Sequence, residues 1–405
     1  LGMLTMTRAA LQALSSPVAS LLDAKFERRK LIAAGCMLWS AATALLATSV
    51  SFPMLFALRA LNGIGLGLVP PLLMAYVADS NPANAHGKAF GTLGLVSYMG
   101  AAVGVAIATV VAAQPVGSIE GWRLGLALVA LLGFIAGGAA SFQDVSFRPN
   151  ESMGMVQDTR KEKGGGGASS RIKSLFEPKV LAAFVRVLKI PTFQILVAQG
   201  VLGSCFQHWE AGMLSFILTL GVAAGNVLGG YIGDRLARFS PDHGRIYAAQ
   251  FSVLSGIPLL YVIFFLLPTG EEGRSMGAFA VSLFVFGLCI SWCSAAVNQP
   301  IMSEIVPTSH RAIIFSLDRS FEGGMSAIAP FVVGSLAVDV FGWDGTSAHQ
   351  TCDDKDRDSL GKALFWTMSV TWAGCFFFYS TMHCTYPKDK RGEKHKVAVV
   401  VVGQW

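Results

Sequence analysis

The 405-residue chain is too apolar for a soluble protein of its length. Its residues are 53% hydrophobic and only 14% charged, whereas soluble domains carry about 25% charged residues. The net charge of +6 does not indicate a nucleic-acid partner, because the basic residues are concentrated in particular loops. The composition therefore excludes a soluble globular protein and predicts a multi-pass integral membrane protein.

The predicted elements are membrane-spanning helices. Each needs about 20 consecutive apolar residues, with a working range of roughly 17–25. Helices also satisfy their backbone hydrogen bonds within each segment, as lipid requires. Eleven stretches qualify: 3–22, 30–50, 53–78, 88–113, 122–142, 191–207, 211–233, 245–267, 276–299, 311–338 and 361–385. The predicted fold class is an all-α polytopic membrane protein with two bundles, of five and six helices.

The distribution of basic residues predicts the orientation. If the loop after the first helix is cytoplasmic, alternation puts 23 of the 31 Lys and Arg residues on the inner side and five on the outer side. This matches the excess of Lys and Arg found in cytoplasmic loops. The C-terminus is therefore expected in the cytoplasm; which membrane holds the protein is left open.

Four regions are expected along the chain. Residues 1–142 form the first bundle, 191–386 form the second, and 387–405 form a cytoplasmic tail. Between the bundles, residues 143–190 contain a glycine-rich linker followed by basic and apolar residues at helical spacing. This spacing favours one or two amphipathic helices on the inner membrane face, and a plain solvated linker is the alternative.

The two halves contain a repeated motif. The stretches PPLLMAYVADSNPANAHGKAFG (70–91) and QPIMSEIVPTSHRAIIFS (299–316) each carry an acid at a predicted helix end, Asp79 or Glu304. A proline follows three residues later, and then a basic residue. Repeated halves are a recurrent architecture of secondary transporters.

Acidic residues also end the first and seventh predicted helices, each four residues after a small residue. Asp23 and Asp234 lie at helix C-termini, where the helix dipole disfavours a negative charge. We therefore expect a positive group nearby, either an arginine or the N-terminus of another helix. The predicted conformational latches join two sets of residues: Asp23, Arg28 or Arg29, and Asp79; and Asp234, Arg235 or Arg245, and Glu304. The alternative is that these charges serve only to keep the loops inside.

These motifs resemble those of the major facilitator superfamily. The pattern small-x-x-x-Asp followed by Arg-Arg-Lys is similar to the family's signature loop, and GGYIGDR (229–235) is similar to its counterpart in the second half. LFALRALNGIGLGL (55–68) is similar to the family's fourth helix, which carries a membrane-embedded arginine. ALSSPVASLLD and VPPLLMAYVAD are closest in style to the Spinster-like group and to related algal and plant transporters. The resemblance implies twelve helices, alternating access and a small-molecule substrate.

The chain departs from that family pattern in two places. Only five helices are predicted before the central segment, so we expect the family's helix one to be absent from this sequence. The first signature loop also has Ala19 in place of glycine and Ala24 in place of a basic residue. A truncated gene model accounts for the missing helix.

Several ionisable residues fall within predicted spans, where each costs at least about 2.5–3.5 kcal/mol and is a functional candidate. Arg59 is expected to bind an anionic group of the substrate, with a structural ion pair as the alternative. Glu322 is a candidate proton-coupling site beside Asp318 and Arg319, unless these residues only hold helices together; Arg8 is another possible partner. Further candidates for polar contacts with a ligand are Gln194, Gln199, Asn298 and Gln299.

The sequence therefore predicts a secondary active transporter that moves a small organic solute or a lipid-like amphiphile by alternating access. The alternative is a transport-dead or sensor-like membrane protein from a truncated gene model. No enzymatic motif, metal site or cofactor is predicted. The expected partners are the substrate, a coupled proton and membrane lipids, and the protein is expected to be monomeric.

Overall fold

The computed structural model describes residues 2–112, 120–142, 178–204, 212–267, 274–326, 335–340 and 354–402. Thirteen α-helices and no strand occur in these ranges. The helices of the first half are α1 (Gly2–Asp23), α2 (Arg28–Ala47), α3 (Phe52–Ser80), α4 (His86–Ala112) and α5 (Gly121–Phe142). A short helix, α6 (Pro178–Leu188), precedes the second half.

The second half contains the remaining helices, with two π-helical stretches inserted between or after them. They are α7 (Pro191–Ser204), α8 (Gly212–Phe239), α9 (Gly244–Tyr261) with its π-helical end Val262–Leu266, α10 (Arg274–Ile290), the π-helix Cys293–Asn298, α11 (Gln299–Glu304), α12 (Arg311–Ser326) and α13 (Asp354–Val402). A further π-helix covers Leu336–Val340.

Six helical stretches among the described residues are long and apolar enough to cross a membrane by length and composition. They are Arg28–Ala47, Phe52–Ser80, Gly121–Phe142, Phe216–Phe239, Gly244–Leu266 and Gly277–Glu304. The all-helical class is confirmed, whereas the count of eleven spans stays a prediction. The expected tail begins as a continuation of α13 past Pro387. Most of the expected linker lies outside the described residues.

The repeated sequence motif produces a repeated local structure. Pro82 and Pro307 are both extended, and each is followed by a three-residue 3₁₀ helix, Ala83–Ala85 or Thr308–His310. Proline causes this break because it lacks a backbone N–H and disfavours the helical conformation of the residue before it. Each half therefore ends one helix and restarts the next by the same device.

The packing of the helices is also repeated. In the first half α1 packs on α3 and α2 packs on α5; in the second half α8 packs on α10 and α9 packs on α13. The halves meet chiefly along two helix pairs, α1 with α12 and α4 with α8, and α3 also packs on α12. The two interfaces are equivalent under the repeat, because α1 corresponds to α8 and α4 corresponds to α12.

Glycines permit the close crossing of α4 and α8. A Cβ atom on Gly87 would collide with the carbonyl oxygen of Gly230, and one on Gly230 would collide with that of Gly87. A Cβ on Gly91 would lie 2.7 Å from the carbonyl oxygen of Asn226. Small residues allow helix backbones to approach in membranes, and this crossing has no room for a larger one.

Gly230→Ala should therefore weaken the contact between the halves. An added methyl group in a filled site costs about 1–3 kcal/mol, and here the obstacle is backbone on both helices. We expect a lower thermal midpoint of the purified protein than for Gly138→Ala, where a new Cβ has nothing within 4 Å. Equal midpoints for the two variants would contradict this interpretation of the crossing.

Candidate functional site: buried ion-pair clusters between the two halves

The loops α1–α2, α3–α4, α8–α9 and α11–α12 meet at one end of the bundle, here called the charged end. In the first half, Arg28 makes a bidentate pair with Asp23, with nitrogen–oxygen distances of 2.9 and 2.7 Å. Its third contact, also 2.9 Å long, is to Asp79. The structure thus brings together Asp23, Arg28 and Asp79 as one cluster.

The second half contains the equivalent cluster, and it is more deeply buried. Arg245 donates to Asp234 over 2.9 Å and lies 3.2 Å from the Glu304 carboxylate. The Arg245 side chain is only 2% exposed. It also donates to the Ala296 carbonyl at 3.0 Å. Because every one of these charges has a partner of opposite sign, the cluster is tolerated in a site of low dielectric constant.

Each cluster is tied to the opposite half of the protein. Arg311 of the second half donates to Asp79 at 2.8 Å. Asp234 accepts backbone N–H bonds from Gly87 at 2.9 Å and Lys88 at 2.8 Å, at the N-terminus of α4. Exposed amides and the helix dipole make such a terminus a favourable site for a carboxylate. Among the contacts that join the halves at the charged end are therefore a side-chain ion pair through Asp79 and a carboxylate–backbone contact through Asp234.

The C-terminal continuation of α13 adds a third set of contacts. Lys390 lies 2.8 Å from Glu304, and the Tyr386 hydroxyl donates to the same carboxylate at 2.7 Å. Asp389 accepts hydrogen bonds from the backbone and the hydroxyl of Thr192 at the start of α7. The end of α13 thus connects the second cluster with α7.

Two predicted latch residues lie outside these clusters. The Arg29 guanidinium is 3.8 Å from Glu27, an exposed neighbour. Arg235 donates to the Tyr231 hydroxyl over 3.5 Å and is exposed. The geometry therefore selects Arg28 and Arg245 from the alternatives that the sequence left open.

Arg8 of α1 and Arg59 of α3 lie near each other, away from the charged end. Both are half-buried, and their positive charges are close enough to repel each other. Among the described residues, neither has an ion pair with an acid. Two neighbouring guanidinium groups without an acidic partner form a favourable site for an anion.

The three charged residues that the sequence groups around Glu322 lie together on α12. Arg319 pairs with Glu322 at 3.1 Å and lies 3.5 Å from Asp318. Asp318 is the more deeply buried acid, at 1% exposure. Two carboxylates thus share one guanidinium.

The remaining predicted polar residues do not form one group. Gln194 is exposed and donates to the Leu188 carbonyl at 2.8 Å, so it caps the turn between α6 and α7. The buried Asn298 accepts a bond from Tyr379 at 2.9 Å, and Gln299 is buried beside it. The side chain of Gln199 lies outside the described residues. No group of three metal-binding side chains occurs in the described part of the chain.

The clusters include residues that the sequence alone does not place there. Arg311 is the basic residue that follows the repeated proline, and Lys390 is one of the basic residues of the expected tail. The spacing of Tyr386 and Lys390, four residues apart on one helix face, is a signal that could have identified the second contact.

Arg245→Met should destabilise the protein and loosen the charged end. Removing one partner of a buried ion pair leaves an uncompensated charge, at a cost of about 3–5 kcal/mol. Two acids, Asp234 and Glu304, lose their arginine in this variant. We expect a fall in the thermal midpoint of the purified protein and faster hydrogen exchange at the N-terminus of α4.

Arg235→Met is the matched control, because this arginine follows Asp234 directly on α8 but is exposed. Its thermal midpoint should stay within a degree or two of the parent value, since exposed polar contacts contribute about 0–1 kcal/mol. If Arg235→Met lowered the thermal midpoint as much as Arg245→Met, the buried cluster would contribute no more to stability than an exposed arginine.

Comparison with known proteins finds one curated relative and two solved structures that cover most of the chain. The chain is 23% identical over 320 residues to multidrug resistance protein 1 of Bacillus subtilis (strain 168), covering 78% of this chain and 73% of the relative. The crystal structure of the human organic anion transporter MFSD10 (TETRAN) has a TM-score of 0.59 at 17% identity, over 93% of this chain and 83% of the other. The proton:xylose symporter XylE, bound to 6-bromo-6-deoxy-D-glucose, has a TM-score of 0.63 at 15% identity, over 93% and 84% of the two chains.

The family model of the major facilitator superfamily matches residues 1–330. This match covers the first half, the charged end and most of the second half, and the two structural neighbours have the same fold. The members of this family are transporters and not enzymes. The protein is an integral membrane protein that belongs to the major facilitator superfamily.

Proposed function

We propose that the protein is a secondary active transporter of small organic anions or of amphiphiles with an anionic head group. The observation that carries this proposal is the arginine pair, Arg8 and Arg59, which lies in the first half without an acidic partner among the described residues. A substrate carboxylate or phosphate would remove the repulsion between the two guanidinium groups. Bidentate recognition of such groups is the chemistry that arginine favours.

The similar proteins support a solute-carrying role but differ in what they move. One structural neighbour is named as an organic anion transporter and another as a proton:xylose symporter. The resemblance to the Spinster-like group favours lipid-like substrates such as lysophospholipids. An anionic substrate would neutralise the arginine pair, and it agrees with the name of the organic anion transporter. We therefore favour an anionic substrate over a neutral sugar.

Alternating access would use the charged end as its inner gate. The clusters around Arg28 and Arg245 hold the halves together at the side that the loop charges predict to be cytoplasmic. Opening this side would separate Asp79 from Arg311 and Asp234 from the α4 N-terminus. A coupled proton would be carried on α12, where Asp318 and Glu322 compete for the single charge of Arg319.

The transport proposal predicts that Arg59→Ala and Arg8→Ala abolish movement of the substrate while folded protein is retained. Cells expressing the protein would be profiled for organic anions, sugars and lysophospholipids, inside and outside. We expect one anionic class to redistribute only with the parent protein, with partial activity in Arg59→Lys because the charge is kept. A transmembrane pH gradient should change the rate in the parent but not in Asp318→Asn.

Arg235→Ala is the control for this experiment, since it also removes one arginine but is exposed at the charged end. It should transport at the parent rate. Redistribution of a neutral sugar that persists in Arg59→Ala would overturn the anion assignment and leave a solute transporter. Redistribution of no compound class would contradict the transport role itself.

We also propose that the working protein carries one more apolar helix, seated between α4 and α5. A groove of about 470 Å³ lies there, lined by Met99, Gly100, Val103, Gly104, Gly125, Leu128, Val129, Leu131 and Leu132. In the second half, α7 packs against α12 and α13. These two helices are the repeat counterparts of α4 and α5, so the groove corresponds to the seat that α7 fills.

The groove has room for a helix to approach closely. A Cβ atom on Gly100, Gly104 or Gly125 would have nothing within 4 Å. Small residues separated by four positions are typical of a helix-packing face in membranes. The wholly apolar lining matches a helix of apolar residues rather than a polar solute.

Replacing both Gly100 and Gly104 with Leu tests the added helix in protein produced from its natural gene. If a helix fills the groove, the two side chains displace it, and both the thermal midpoint and the yield should fall. Gly277→Leu on α10 is the control, because it too has nothing within 4 Å of a new Cβ. An unchanged or higher midpoint for the double variant would show that lipid alone covers the groove.

A further inference from the structure

His86 occupies a buried position where the two halves meet at the charged end. The residue is 1% exposed and begins α4, just before the predicted span. Its Nε2 atom lies 3.0 Å from the carbonyl oxygens of Ala78 and Asn81 in the first half. Its Nδ1 atom lies 2.8 Å from the hydroxyl of Ser303 in the second half. The imidazole ring therefore bridges the two halves.

These contacts determine which tautomer the closed gate holds. Carbonyl oxygens only accept hydrogen bonds, so Nε2 carries the proton and donates to Ala78 and Asn81. A neutral ring then has a bare Nδ1, which accepts from the Ser303 hydroxyl. A neutral histidine is thus fully bonded on both sides of the interface.

A second proton on His86 would disturb this arrangement. The Ser303 hydroxyl would have to turn towards the Pro300 carbonyl, 2.7 Å away. A positive ring would also lie beside Arg311, whose guanidinium donates to the same Ala78 carbonyl at 2.9 Å. Burial and the charge of Arg311 lower the pKa of His86, and the more distant Glu304 opposes this shift only in part.

The other charged groups around His86 are already paired in the closed gate. Asp79 of α3 is held by Arg28 and Arg311. Asp234 of α8 accepts from the backbone next to His86 and pairs with Arg245 of α9. In the described part of the chain both acids are directed at these partners, so a second positive charge on His86 is offset only in part, by Glu304.

We propose that His86 makes the inner gate sensitive to pH, so that protonation of its ring opens the contact between the halves. The closed gate binds this proton weakly. A ring exposed by opening would have a pKa near the ordinary histidine value of about 6.5. The open state therefore binds more protons than the closed state below that pH, and acid favours opening. Above that value the ring is neutral in both states, and the equilibrium is independent of His86.

The test measures the gate itself and needs no substrate, so its outcome is separate from that of the transport experiment. Single-molecule energy transfer would be recorded between dyes attached through encoded unnatural amino acids at positions 25 and 238, which lie at the charged end in opposite halves. On lowering the pH from 7.5 to 5.5 we expect the open-to-closed ratio of the parent to rise, by at most about tenfold per pH unit for one proton.

His86→Gln should remove this rise, because the amide can donate and accept but does not titrate in this range. Ser303→Ala, which removes the donor to the neutral ring, should make the rise shallower and serves if His86→Gln does not fold. His310→Gln is the control, since this histidine also lies at the charged end but contacts Ser309 of its own half. A full pH response in His86→Gln, or its loss only in His310→Gln, would overturn the proposal.

Discussion

A carboxylate buried at the C-terminal end of a helix is the constraint around which this protein is organised. Asp234 is 4% exposed, and the dipole of its own helix opposes its charge. It is stable there because Arg245 and the backbone amides that begin α4 neutralise it from two directions. One of those partners belongs to the same half and the other to the opposite half, so the carboxylate is satisfied only while the halves are in contact.

The same requirement links the gate to the glycines of the α4–α8 crossing. The amides of Gly87 and Lys88 reach Asp234 only if the two helix backbones nearly touch, and Gly87 and Gly230 permit that approach. Helix packing and the Asp234 hydrogen bonds thus depend on the same separation of the helix axes. A substitution that changes the packing should therefore also lengthen or shorten these hydrogen bonds.

Much of this arrangement could be predicted from the sequence, for physical reasons. The apolar lengths located the helices of the first half to within about three residues at each end, since a bilayer sets a minimum span. The repeated acid and proline indicated that Asp79 and Glu304 would have positive partners, because an acid at a helix end needs one. The choice of Arg28 over Arg29, and of Arg245 over Arg235, depends on which side of a helix faces inward. That choice, like the reach of Lys390 to Glu304 and of His86 to Ser303, follows from tertiary packing and not from local sequence.

The two halves close the gate by chemically different means, and this affects how each contact can change in evolution. Asp79 is held across the interface by the Arg311 side chain, which a single substitution can weaken, strengthen or reverse. Asp234 is held by main-chain amides, which every residue type except proline supplies. The first contact can therefore be adjusted freely between related proteins, whereas the second remains available as long as α4 begins at the same place.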